Sequence, residues 1–401
     1  MRKLIVLSFM LGAIAVSYGQ TLDSLSIAQT PQSTPRESAN WTFDFNGYLK
    51  YMQTLGFASG YPMQVDNLVH NRLNFEYYND EGSTLVLQMR NRIFYGASVS
   101  NIPGYGDYVT SYDGVLPLEY LLVDNESVVI NSIVDRFYYE YATDDFQIRV
   151  GRQRINWGIN TTWNPNDLFN SYNIYDFDYE EREGADAIRA TFFPGLMSSI
   201  DVAYKFTGDF DTDIFAAKYK FNKSNYDFQF LAGKFQESIA LGTGWAGSIG
   251  TLGFKGEFTA FQSYKNWEDQ TNLSFSTSLD YSWANGFYLL GTYLYNTTGS
   301  TVPIDPTAEV VQVPNAEYLM PAAHNLMLSG SYMINPILST STSAIYAPGL
   351  NSFTFFPTLT LSVMTDLDLD LVGQFFWQEL PENEDFANIG NGVYWRLKYS
   401  F

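Results

Sequence analysis

Asn391-Gly-Val-Tyr-Trp-Arg-Leu-Lys-Tyr-Ser-Phe401 ends the chain of 401 residues, and its alternation decides the fold class. Side chains alternate across a strand with a period of two. Val393, Trp395, Leu397, Tyr399 and Phe401 therefore share one face, and Tyr394, Arg396, Lys398 and Ser400 the other. The segment is a strand with one apolar and one cationic face, finishing on an aromatic carboxy-terminus. In a soluble sheet it would be an exposed apolar edge, which soluble proteins avoid and a closed barrel abolishes.

The same alternation recurs from Trp41 onward. Phe43, Phe45, Leu49 and Tyr51 alternate with Asp44, Asn46, Tyr48 and Lys50. Val69, Leu73, Phe75 and Tyr77 alternate with His70, Arg72, Asn74, Glu76 and Tyr78. Leu367, Leu369, Leu371, Phe375 and Trp377 alternate with Asp368, Asp370, Gln374 and Gln378. Tight turns are expected at Asn79–Gly82, Thr143–Asp145, Pro194–Gly195, Asn222–Asn225, Gly247–Ser248, Ala284–Gly286, Asn335–Pro336 and Thr365–Asp366. Other, mostly longer, links lie between them: Thr54–Asn67, Gly96–Asn131, Arg154–Glu183, Ser263–Gln270, Thr297–Pro321 and Glu379–Ile389. Short turns on one side and longer loops on the other are the pattern of outer-membrane barrels. The fold class is all-β: a transmembrane antiparallel up-and-down barrel of about 18 strands, with about 16 as the alternative count, sizes that leave an aqueous channel. Ile239–Ala246 and Leu338–Ala347 carry the weakest pattern. An even count puts both termini in the periplasm. The closing strand resembles that of Gram-negative outer-membrane barrels, whose terminal Phe is read by the barrel-assembly machinery. That resemblance assigns the assembly signal to Trp395, Tyr399 and Phe401.

The amino-terminus reads as a secretory signal peptide over 1–19. Arg2 and Lys3 precede an apolar core from Leu4 to Val16, followed by the small-x-small site Ser17-Tyr18-Gly19. Residues 20–40 read as a flexible periplasmic lead-in, too short for the plug of an energised transporter, and 41–401 as the barrel. The chain has no Cys, which excludes disulfides and a lipoprotein anchor. It holds 30 Tyr, 31 Phe and 8 Trp at a mean hydropathy of −0.15. A barrel explains that pairing, since half its strand positions face lipid, half face water, and aromatic residues form interfacial girdles. The net charge of −21 argues against a nucleic-acid partner.

The inward faces of the early strands collect Arg72, Arg90, Arg92, Arg136, Arg149 and Arg189, interrupted by Glu76 and Glu140. A charge facing mid-bilayer lipid costs about 2–4 kcal/mol, so these residues are expected to line the lumen. The two longest loops, 96–131 and 154–183, leave this wall and are acidic. Two readings stay open. In one, a loop folds inward and faces the arginines across a constriction, an arrangement that resembles the eyelet of diffusion porins. In the other, the loops are solvated outside. Gly151-Arg-Gln-Arg-Ile-Asn-Trp-Gly158 and Asn164-Pro-Asn-Asp167 form the most specific internal motif. Asn164 has the chemistry of an N-cap and Pro165 that of a first helical residue, predicting a short helical turn through Phe169. Arg152 and Arg154 have the wrong parity for the lumen. Either Gly151 makes a bulge that turns them inward, or the strand has left the membrane and they meet lipid phosphates at the rim. The motif (Gly151, Gln153, Trp157, Gly158, Asn164, Pro165, Asp167) resembles porin-like families, including alginate-export-like ones. That resemblance covers Val150 to about Arg189 and implies a channel for polar or charged solutes.

Catalysis finds no support. His70 and His324 are the only histidines and belong to no defensible triad. Asp366, Asp368 and Asp370 read as a solvated rim beside a turn, not as a metal site. No cofactor is expected. The expected function is passive diffusion of small hydrophilic solutes, with an anion bias from the arginines. The alternative is a non-conducting barrel serving as a scaffold or as a subunit of an assembly or secretion complex. Expected partners are outer-membrane lipid, the barrel-assembly machinery and small polar solutes, with self-association left open.

Overall fold

The computed structural model describes residues 40–110, 114–170, 178, 183–305, 314–382 and 384–401. The expected signal peptide lies outside the described residues, as does the lead-in up to residue 39. The strands are β1 Trp41–Phe57, β2 Gln64–Asn79, β3 Ser83–Gly96, β4 Glu119–Asp124, β5 Val129–Ala142, β6 Phe146–Gln153, β7 Ala185–Gly195, β8 Ser198–Lys205, β9 Ile214–Lys223 and β10 Tyr226–Phe235. They continue as β11 Ser238–Ile249, β12 Leu252–Ser263, β13 Asn272–Ser282, β14 Tyr288–Asn296, β15 His324–Asn335, β16 Leu338–Ala347, β17 Ser352–Met364, β18 Leu367–Leu380 and β19 Asp385–Ser400. Two short helices, α1 Ala97–Asn101 and α2 Tyr105–Val109, follow β3.

All strands join one antiparallel sheet, and β1 pairs with β19, so the sheet closes on itself. β4 is the exception to the up-and-down order. β3 pairs with β5 along its length, while β4 flanks β5 only beside Val129–Ile133. β6 takes the same flank beside Phe137–Ala142. β4 thus continues the wall beyond the point where β6 ends, and the barrel is one of 18 strands. Both weakly patterned segments are strands, β11 and β16. No helix among the described residues is long and apolar enough to cross a membrane.

The terminal stretch forms the seam. Leu49 pairs with Tyr399 and Tyr51 with Leu397. Gly47 and Phe401 exchange two backbone hydrogen bonds of 2.9 Å. The Phe401 ring lies over Gly47, where a Cβ would come within 3.0 Å of it. Leu397, Tyr399 and Phe401 face outward, while Tyr394 and Arg396 are buried inside. Six of the eight expected tight turns fall where the sequence places them; the one expected at Pro194–Gly195 moves to Leu196–Met197, because β7 runs on to Gly195. The one expected at Gly247–Ser248 shifts to residues 250–251, because β11 keeps its alternation to Ile249 and Gly250 supplies the left-handed residue (φ 63°). The link expected over Glu379–Ile389 shrinks to a tight turn, since β18 runs to Leu380 and β19 starts at Asp385.

Candidate functional site

The site is the lumen and the loop that enters it after β6. Lumen-facing residues on β7 to β12 are small where the loop arrives: Ala185, Ala187, Ala203, Ala216 and Ala240 are buried, and β11 adds Gly242 and Gly244. Ile155, Trp157, Leu168 and Phe169 of the loop fill that space and form one apolar cluster with Leu231, Phe235 and Phe261. Trp163 reaches a second cluster on Leu290, Leu294, Met327, Ile345 and Phe356 of β14 to β17. The described part of the loop therefore lies inside the barrel.

Polar contacts fix its path. Glu257 of β12 is fully buried and accepts the backbone N–H groups of Ile159, Asn160 (2.7 Å) and Asn166 (2.9 Å). Thr259 donates to the Pro165 carbonyl and to Asn166 Oδ1. Trp157 Nε1 donates to Asp201 at 3.0 Å, and Gln229 donates to the Trp157 carbonyl at 2.8 Å. Gly158 is needed where it stands, since a Cβ there would lie 2.3 Å from Asn164 Oδ1. The helical turn expected from Asn164 to Phe169 does not form. Only a turn exists, closed by the Asp167 N–H on the Asn164 carbonyl, because the loop's donors are bonded to the barrel wall instead of to a helical ladder. Gln153, fully buried, donates to the Ala187 carbonyl, and Asp167 accepts the Trp157 N–H.

The arginines meet carboxylates of the wall itself. A bulge opposite Gln88 and Met89 turns both Asp135 and Arg136 inward on β5. Asp135 then binds Arg72 at 2.6 Å and Arg90 at 3.2 Å, and its carbonyl accepts from Arg136. Arg92 donates to Asn131 and to the Val109 carbonyl and lies 3.9 Å from Glu119. Arg149 binds Glu140 and lies over the Tyr138 ring; Arg189 grips Asp201 with two nitrogens. Arg149 and Arg189 keep 21% of their side-chain surface exposed, against 1% and 4% for Arg72 and Arg90. Glu76 stands opposite Asp44. Gly151 is strained for any other residue (φ 120°), but Arg152 points neither into open lumen nor at a lipid-phosphate rim. It is fully buried between β5 and β7, bound to Asp186 at 2.8 Å and to the Val134 and Leu116 carbonyls, where β6 ends and the chain near β4 takes over. Arg154 follows directly, partly buried at the root of the loop. Sequence reasoning missed Asp135, Asp186 and Glu257. The adjacent charges Asp135-Arg136 were the available signal of a bulge.

Asp178, further along the same loop, reaches the opposite wall. It lies 2.7 Å from Lys50, 3.1 Å from His70 Nδ1 and 3.5 Å from Arg396. Burial alone would raise its pKa, but Lys50, His70 and Arg396 together hold it well below the ordinary carboxylate range. A depressed carboxylate pKa contributes stability above the undocked value near ~4, which is lost as pH falls towards the docked value. The contact should hold unchanged from pH 8 to about pH 5 and weaken only in stronger acid. Protease accessibility of the loop across that range checks this; release near neutral pH would contradict it.

No family model matches the chain, and no curated protein matches it. Solved structures do. OccAB4 of Acinetobacter baumannii aligns at TM-score 0.55 and 9% identity over 90% of this chain and 98% of that one. OccK5 (OpdH) of Pseudomonas aeruginosa aligns at TM-score 0.56 and 10% identity, over 89% and 98%. OccK11 (OpdR) of the same organism aligns at 0.54 and 12%, over 90% and 96%. At these identities the likeness establishes the fold: a closed antiparallel 18-strand barrel of the kind found in outer-membrane porins.

Proposed function

We propose that the protein is an outer-membrane porin that passes small hydrophilic solutes passively and catalyses no reaction. The observation that carries this reading is the inward loop. It docks against the wall from β7 to β17 and narrows the barrel, while Arg149, Glu140 and Arg189 keep lumenal exposure. Among the arginines named from sequence, Arg149 and Arg189 are the pore-lining candidates; Arg72, Arg90, Arg136 and Arg152 act as buried parts of the wall. The likeness of the Gly151–Asp167 motif to porin-like families and the barrel neighbours both support the reading. The two termini then lie in the periplasm, and Trp395, Tyr399 and Phe401 present the closing strand to the barrel-assembly machinery. The outward apolar face meets outer-membrane lipid; self-association is compatible with it. Proteoliposome swelling tests the proposal: uptake of small sugars should slow as solute size rises. Swelling no faster than in protein-free vesicles would overturn it. One observation favours the second reading, a non-conducting scaffold: Arg72, Arg90, Arg149, Arg152, Arg189 and Arg396 all lie beside a carboxylate.

A further inference from the structure

The inward loop consumes two wall carboxylates, and each has a lysine for a neighbour. Asp201 on β8 stands directly opposite Lys218 on β9. Its oxygens are taken by the Arg189 guanidinium and by Trp157 Nε1. Glu257 on β12 shares the lumenal face with Lys255, two residues away. Its oxygens are taken by the three loop N–H groups of Ile159, Asn160 and Asn166.

Neither lysine has a carboxylate within the 4.0 Å of an ion pair among the described residues. Lys218 Nζ lies 5.1 Å from the centre of the Trp157 ring, and Lys255 Nζ donates only a long 3.3 Å bond to Thr161 Oγ1. Asp167, the other acid in the field of Lys218, is buried and accepts the Trp157 N–H. Both lysines are partly exposed. Each sits one lumenal position nearer the short-turn end than a residue that anchors the loop, Lys218 below Ala216 and Lys255 below Glu257. A solute passing along the loop on this wall meets two ammonium groups that form no direct ion pair among the described residues, while Arg149 and Arg189 are ion-paired with Glu140 and Asp201.

We propose that Lys218 and Lys255 are the specificity-determining residues of the pore, giving it a preference for small anions. The proposal rests on the porin reading. Loop docking holds Glu257 on the loop backbone and Asp201 on Trp157 and Arg189, so neither carboxylate forms an ion pair with its neighbouring lysine. Charges lining a narrow, poorly screened passage act on permeant ions far more strongly than charges at a rim.

The test is the reversal potential of the purified barrel in planar bilayers under a KCl gradient, with chloride as the anion probe. The wild-type protein should favour chloride. Lys218→Gln with Lys255→Gln should lower the chloride-to-potassium permeability ratio by about threefold or more, and Lys218→Arg with Lys255→Arg should retain it, because charge and not shape is the property used. A wild-type barrel that conducts with the same ratio as the double Gln variant would overturn this inference and leave the porin intact. A folded wild-type barrel that does not conduct would overturn the porin reading, and this inference with it.

Discussion

Asp135→Asn is expected to destabilise the barrel by about 3–5 kcal/mol, the usual cost of removing one partner from a buried ion pair. Asp135 is 1% exposed, and both Arg72 and Arg90 lean on its two oxygens. An amide of the same shape keeps the packing and removes the charge. The two guanidinium groups then face each other across β2 and β3, where they are direct cross-strand neighbours. The shift should be visible in the temperature at which the folded, compact band is lost in cold detergent electrophoresis. Adding Arg90→Met to Asp135→Asn should recover part of the loss, since one buried charge is then gone. A double variant no more stable than Asp135→Asn alone would show that the carboxylate matters for reasons other than the arginines.

Glu257→Ala should free the loop from the wall and enlarge the pore. Hydrogen bonds to a charged group contribute roughly 1.5–3 kcal/mol each, and this carboxylate accepts three from backbone. Its loss also removes the acceptor of three buried loop N–H groups, so the docked arrangement of Ile159 to Asn166 is the state that suffers. The barrel wall should survive, because Glu257 makes no ion pair within it among the described residues. The expected readout is a rise in single-channel conductance of about twofold or more, since an 18-strand bore without its loop is wide enough for an aqueous channel. Glu257→Gln keeps one acceptor oxygen and should fall between. Unchanged conductance in Glu257→Ala would mean that the loop does not define the narrowest point.

The barrel was legible because its physics is periodic. Alternation over Asn391–Phe401 and the earlier strands separates lipid-facing from lumen-facing positions, and only closure accommodates an apolar final strand. Turn chemistry located most hairpins for the same local reason, as at Asn222–Asn225, where Ser224 and Asn225 take positive φ. The inside of the barrel was much less legible. Which carboxylate an arginine meets depends on register between strands distant in sequence. Asp135 enters the lumen only through a bulge, and Arg152 binds Asp186 only because β6 ends there. Parity placed Arg152 on the outer face and offered two destinations for it; a third, within the plane of the wall, follows from β4 replacing β6. Glu257 carried no local signal at all, since its partners are backbone groups about 91 to 98 residues earlier. The helical turn predicted at Asn164-Pro165 fails for a related reason: local preference is outweighed by the bonds the loop makes to β11 and β12.

Single-channel recording of the purified, folded protein in planar bilayers tests the central claim most directly. A passive channel predicts steady, ohmic steps that scale with salt concentration and need no energy source. A barrel that is folded by its heat-modifiable migration, inserts into the bilayer and passes no current would contradict the account and turn attention to the scaffold reading.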